Sequence, residues 1–282
     1  MPALLDLIEQ ERPALIILGK SMVLHPEPVY EVRTFLDAAG IDAVLMYDMA
    51  HVLGLVGPHF QKPFAEGADL VTGSTHKTFF GTQRGLIGAR WQAPEAKWDL
   101  WETIERRAFP GSVSNHHLGT LMGLLMAAFE MNHFKDAYQE AVIGNAKAFA
   151  VALKEAGLDV AGDPAVDYTE THQVIVSVGY GRGAEIAGRL EESNIICNYQ
   201  AAPDEEGFTA SGALRLGVSE MTRFGMTPAD FAELATLMAA VVNKDAAVGA
   251  DVAALRARFT ELRYCFAGPD FEPFVQRLHE LI

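Results

Sequence analysis

The chain has 282 residues, half of them hydrophobic, and a formal net charge of −15. That length can bury a substantial core and has room for two domains, and the negative charge argues against nucleic acid or anionic membrane as a partner, since both reward positive charge. Cys197 and Cys265 lie far apart and outside any C-x-x-C spacing, so neither a disulfide framework nor a zinc site is expected; with no basic, then apolar opening and no apolar run of about 18 residues, the expectation is a cytoplasmic protein.

Residues 14–18 form a short apolar run, as a strand buried on both faces should. Pro28 then sits where a first helical turn tolerates it, and Val29, Val32, Phe35 and Leu36 recur at helical spacing up to Gly40. Residues 43–47 read as the next strand, ending at Asp48. Residues 70–72 read as a third, followed by a loop carrying Lys77, and 85–91 as a fourth. Residues 118–156 read as mostly helical, with a break expected at 132–135. A second unit follows, with strands at 174–178, 195–199 and 214–217 and helices at 227–242 and 252–262 on one face. Strands alternating with helices make this an α/β protein, and no internal repeat stands out.

Two short words fall just beyond strand-like runs: Asp48-Met49-Ala50-His51 and Ser74-Thr75-His76-Lys77-Thr78. Carboxyl ends of strands are where an open α/β sheet collects functional residues. An aldehyde cofactor such as pyridoxal phosphate needs an amine to hold it as a Schiff base. It also needs a carboxylate to keep its pyridine nitrogen protonated, so that the ring can accept electrons. Lys77 and Asp48 can supply those groups. Singly, Lys77 also reads as a solvated surface residue and Asp48 as a helix cap; it is their combination that points to a site. Arg215 offers a carboxylate two parallel donors, though as a surface residue it could pair with Glu205 or Glu220. Gly179-Tyr180-Gly181-Arg182-Gly183 lacks dinucleotide-fingerprint spacing and reads as a tight turn. His116, His117 and His133 lack the spacing of ligands on one helix face, so no metal is expected.

The words from Tyr47 to Val56, from Ala68 to Thr78, and Gln83-Arg84-Gly85 resemble the serine hydroxymethyltransferase family, pyridoxal-phosphate enzymes of the aspartate-aminotransferase fold. Phe109-Pro110-Gly111, Asn145-Ala146-Lys147-Ala148 and the run from Ser211 to Gly217 extend the likeness from about Pro13 nearly to the C-terminus. The resemblance implies a fold-type-I architecture. Residues 1–145 would form part of a large, cofactor-binding domain with a mainly parallel sheet, and residues 146–282 a C-terminal α+β small domain. It implies pyridoxal 5'-phosphate on Lys77, Asp48 at the ring nitrogen, His51 beside the ring near its phenolic oxygen, and Ala50 against the ring face. Ser21 would lie near the cofactor, His76 would complete the family's His-Lys pair, and Ser74 and Thr75 would bind phosphate or orient the lysine. Arg215 would grip the α-carboxylate of a small amino-acid substrate, with Arg84 aligned to an arginine of the glycine-rich loop. Serine/glycine interconversion with tetrahydrofolate as co-substrate is the implied reaction. Threonine-aldolase-like cleavage, β-elimination and transamination are the alternatives on the same fold.

Departures from the family's pattern carry their own expectations. The likeness begins well inside the large domain, so the phosphate cup, the ring that stacks on the cofactor and the folate-holding residues fall to a portion not seen here. Ser112-Val113-Ser114-Asn115-His116-His117 replaces a glycine-rich stretch, and Val218 to Arg223 departs from the commonest form of its motif. The expectation is a fragment, split subunit or truncated paralogue, assembled as a homo-oligomer or with a complementary chain. A non-catalytic assembly partner with an incomplete pocket is the remaining alternative.

Overall fold

The computed structural model describes residues 1–95, 97–202 and 210–280. Helix α1 (Pro2–Glu11) precedes strand β1 (Leu15–Leu18). Helix α2 (Val29–Ala39) crosses back to β2 (Val44–Asp48), burying Val29, Val32 and Leu36 and ending at the left-handed Gly40. The short α3 (Pro63–Glu66) leads to β3 (Leu70–His76), which turns into β4 (Phe80–Ala89). The four strands lie in sequence order, with β1, β2 and β3 parallel and β4 antiparallel to β3. The carboxyl ends of β1, β2 and β3 therefore share one edge.

Asp69 holds the middle of this sheet together. It is buried, and its Oδ2 accepts from Arg33 Nη2 of α2 at 2.5 Å and from the Leu45 amide of β2 at 2.8 Å. Its Oδ1 lies 2.9 Å from Arg90 Nε, just past β4. A buried carboxylate with two guanidiniums and a backbone donor has partners for both oxygens, which offsets the cost of removing it from water.

Beyond α4 (Trp98–Arg106) runs α5 (Leu118–Glu155), a single helix of 38 residues. The expected break at 132–135 does not occur. Neither Gly nor Pro lies there, and His133 and Phe134 both pack against Phe266, each at 5.5 Å between ring centroids. The helix passes through residues 145 and 146 uninterrupted and touches both sheets, β4 on one side and β5 and β6 on the other.

The second sheet, ordered β5-β6-β8-β7, is wholly antiparallel: β5 (Asp159–Ala161), β6 (Gln173–Ser177), β7 (Asn198–Gln200) and β8 (Ala213–Gly217). Helix α6 (Gly183–Glu192) lies between β6 and β7, and α7 (Ser219–Arg223), α8 (Pro228–Lys244), α9 (Gly249–Ala257) and α10 (Gly268–Glu280) follow β8. Strand register places Gln173, Ile175, Ala213, Arg215 and Asn198 on one sheet face. That face receives the segment after β1: Met22 and Leu24 pack against Ile175, Ala202 and Ala213. Both strands expected at residues 70–72 and 85–91 prove longer or displaced, so Ser74, Thr75 and His76 lie on β3 itself and Lys77 is in the turn just beyond. The helix expected at 252–262 lies at Gly249–Ala257, and the strand expected at 195–199 at Asn198–Gln200. Residues 118–126 of α5 bury no side chain, and Leu118 and Met122 are about two-thirds exposed. Leu121, Met122 and Leu125, with Phe64, Phe79 and Leu86, border an apolar groove of about 860 Å³.

Candidate active site

Three strand ends build the site. After β1, Gly19 passes so close to β2 that a Cβ there would lie 2.4 Å from the Asp48 carbonyl oxygen, which only glycine avoids. Asp48 ends β2 with its side chain at the surface, and its Oδ1 accepts from the Ala50 amide at 3.0 Å. The turn that follows carries His51 to the end of β3. There the Thr78 hydroxyl donates to the His51 carbonyl at 2.9 Å and accepts from the Gly54 amide at 3.0 Å. A Cβ on Gly54 would strike the Thr78 backbone at 2.2 Å. Tyr138 of α5 donates to the Thr78 carbonyl at 2.9 Å. Thr78 thus clamps the lysine turn to the histidine turn, and the helix spine holds the clamp.

Lys77 is exposed, and its Nζ lies 3.1 Å from Ser74 Oγ. The second sheet adds Arg215, whose Nη1 donates to the Ser21 carbonyl at 3.3 Å. Partial burial pulls the Arg215 pKa downward, but a guanidinium keeps its charge at any working pH. Glu205, the alternative partner of Arg215, lies outside the described residues. His51 sits among these groups, its pKa lowered to about 4 by burial and by the charges of Lys77 and Arg215, against the pull of Asp48.

Asp48, His51, Lys77, Ser74, Arg215 and Ser21 are therefore gathered at one edge. Ala50 is fixed beside Asp48, and His76 ends β3 with its side chain exposed. Two other residues are engaged differently. The buried Thr75 hydroxyl donates to the carbonyls of Thr82 at 2.7 Å and Arg84 at 2.9 Å, bracing the β3–β4 hairpin. Arg84 donates through Nη2 to the Thr120 hydroxyl on α5. Among the described residues no three His, Cys, Asp or Glu side chains gather as metal ligands would, and no helix is long and apolar enough to cross a membrane.

Sequence reasoning missed His172 and Gln173. His172 is buried, its Nδ1 has no hydrogen-bond partner among the described residues, and its pKa is lowered to about 3 by burial and by His51 and Arg215. Gln173 is 1% exposed and hydrogen-bonds across to the segment after β1. The available signal was a polar run, Thr171-His172-Gln173, placed directly before an apolar strand.

These histidines predict acid lability. In the unfolded chain each takes up a proton near 6.5, whereas in the fold they stay neutral down to about 4 and about 3. Their contribution to stability is complete above pH 6.5 and is lost as pH falls toward those values. Between about pH 6 and 4 each histidine contributes a comparable slope, at most on the order of 1.4 kcal/mol per pH unit, and only below about pH 4 does His172 add more than His51. Urea unfolding should show a lower stability at about pH 5 than at about pH 7, and His172→Gln should remove about half of the part that the two histidines contribute. An unchanged pH dependence in the variant would place the acid-sensitive group elsewhere.

Comparison with known proteins follows the same lines. The family model described as serine hydroxymethyltransferase matches residues 2–238. A serine hydroxymethyltransferase of Archaeoglobus fulgidus is 44% identical over 92% of this chain and 58% of its own length. One from Korarchaeum cryptofilum is 41% identical over 94% of this chain and 61% of its own. Among solved structures, an L-threonine transaldolase from Pseudomonas fluorescens in its internal aldimine state superposes with a TM-score of 0.87 at 31% identity, covering 99% of this chain and 63% of that one. The chain thus spans about three-fifths of the length of the curated relatives it matches. With the match running through both sheets and every strand end that builds the site, this chain belongs to the serine hydroxymethyltransferase family.

Proposed function

We propose that this chain carries the lysine, the ring-nitrogen carboxylate and the substrate-carboxylate clamp of a pyridoxal-phosphate enzyme that cleaves, or transfers a hydroxymethyl group to and from, the side chain of a β-hydroxy amino acid. The observation that carries this reading is the convergence of Lys77, Asp48 and Arg215 around His51 at one sheet edge. The donor set fits the cofactor: an exposed amine within reach of a hydroxyl, a carboxylate at a strand end, a neutral imidazole and a partly buried guanidinium. When bound, the cofactor supplies a protonated ring that accepts electrons from the substrate Cα.

The residues of the chain divide the remaining work. Lys77 supplies the amine, and Ser74 orients it through the 3.1 Å contact. Asp48 would hold a proton on the ring nitrogen, and Ala50, its amide tied to that carboxylate, would leave room for the ring face. Arg215 binds the α-carboxylate and so orients the amino acid, with Ser21 fixing the guanidinium from behind. His51, neutral at working pH, would donate a hydrogen bond to the ring's phenolic oxygen. Hydroxymethyl transfer follows the serine hydroxymethyltransferases, and aldolase-like chemistry follows the L-threonine transaldolase, whose fold this chain shares. Assembly with a second copy belongs to the same proposal, supported by the apolar face of α5. Sedimentation that shows only monomer in a catalytically active sample would overturn it.

Borohydride reduction after loading with pyridoxal phosphate, followed by peptide mapping, should place the pyridoxyl group on Lys77. Label on another lysine with none on Lys77 would overturn the assignment. Arg215→Lys keeps the charge and loses the bidentate fork, so KM for the amino acid should rise about tenfold or more, in line with the about 1.5–3 kcal/mol carried by charge-assisted hydrogen bonds. Lys77 labelling should be unaffected. An unchanged KM would move the clamp to another cation, with Arg84 and Arg223 the first to examine.

A further inference from the structure

Gln173 opens β6 on the second sheet, and its amide meets three groups from the other half of the molecule. Its Oε1 accepts from the Val23 amide at 2.8 Å. A backbone N–H can only donate, so the oxygen end of the side chain is fixed at Val23. The nitrogen end then faces the Ser21 carbonyl at 3.0 Å and His51 Nδ1 at 3.4 Å. An amide nitrogen carries two hydrogens and accepts nothing. One hydrogen goes to Ser21, and the other points at the imidazole, whose Nδ1 must therefore offer a lone pair.

We propose that Gln173 is a positioning residue that holds His51 in the neutral tautomer with its proton on Nε2. The ring is left with one donor, Nε2–H, on the edge away from Gln173. The orientation of Gln173 is itself set by the segment after β1. Thr171 donates to the Val23 carbonyl at 2.5 Å, the Glu170 amide donates to the Leu24 carbonyl at 2.7 Å, and His25 pairs with Glu170 at 3.0 Å. Docking of that segment on the second sheet thereby determines which nitrogen of His51 can donate. The charged and titratable groups facing the ring are the cations Lys77 and Arg215, the carboxylate of Asp48 and the neutral His172. Two cations against one carboxylate disfavour a second proton on the ring, consistent with the same tautomer. The catalytic significance of this tautomer rests on the function proposed above; the tautomer itself does not.

Nitrogen-15 NMR of the histidine side chains, with and without added pyridoxal phosphate, provides the test, His51 being identified by its absence from a His51→Asn spectrum. In the native chain Nδ1 should be unprotonated and Nε2 protonated at about pH 8, where neutral histidine dominates. Gln173→Glu replaces the donor with a carboxylate, which only accepts. In that variant Nδ1 should gain a proton, and the titration of His51 should move up by about one unit or more. A native Nδ1–H overturns the proposal whether or not the variant folds, as does a folded Gln173→Glu protein whose His51 tautomer and titration are unmoved. Borohydride labelling separates the two readings. A label on Lys77 together with a native Nδ1–H removes only the role of Gln173. A protonated Nε2 without any label on Lys77 removes only the proposed function.

Discussion

Lys77→Ala should lower amino-acid turnover by about 10²–10⁴-fold, the range expected when a group that both holds reactants and moves protons is deleted. Fold stability should change by no more than about 0.5 kcal/mol, because Lys77 is a surface residue outside the core. Its side chain is exposed and contacts Ser74 rather than packed apolar groups. Thr78, which does fix the turn, is untouched by the change. Rate and thermal midpoint measured on one preparation separate the two effects. A variant with wild-type turnover would remove Lys77 from the chemistry, and one that unfolds would make it structural.

The largest effect on stability is expected at Asp69, which no functional reading uses. Asp69→Ala deletes the buried carboxylate and leaves Arg33, Arg90 and the Leu45 amide without their shared acceptor. Removing one member of a buried ion pair costs about 3–5 kcal/mol. The lower end applies here because the Arg90 side chain is 43% exposed and can turn to water. Arg33, only 15% exposed, cannot do so as readily. Denaturant unfolding of Asp69→Ala should show this loss, and Arg33→Met in the same background should add little, because its partner is already gone. Full additivity of the two changes would mean that the arginine and the carboxylate stabilise the sheet independently.

Much of the site was legible because it depends on local words. Asp48 ends one strand and Lys77 follows directly on the end of another, and chain order alone places parallel strand ends on one edge. The clamp around Thr78 could not be read that way, since its partners come from residues 51, 54 and 138, which sequence does not align. Gln173 was hidden for a related reason: an amide at the start of a strand has no periodic signature, and its partners lie about 120 to 150 positions away. The break expected in α5 lies at Asn132 to Lys135, where polar residues flank Phe134. Polar residues interrupt burial rather than the helix itself, and packing of His133 and Phe134 on Phe266 supplies what the pattern lacked. The strand ends at His76 and Phe80 were missed because a tight antiparallel turn leaves few residues between them.

Helix α5 also has a consequence for how the molecule opens. Its 38 residues extend about 57 Å at the usual rise, but the buried side chains begin only at Ala127. The stretch that carries Tyr138, Val142, Ala146, Phe149 and Leu153 is locked into the core, so its amides can exchange with solvent only when the whole fold opens. The first two turns are tied to the core by no buried side chain, and in the isolated chain their amides should exchange through local fraying. One continuous helix would then show two exchange regimes, with the step near Ala127. The slow regime reports on the spine that joins the two sheets, and the fast one on a surface whose protection would rise sharply as soon as anything came to cover it.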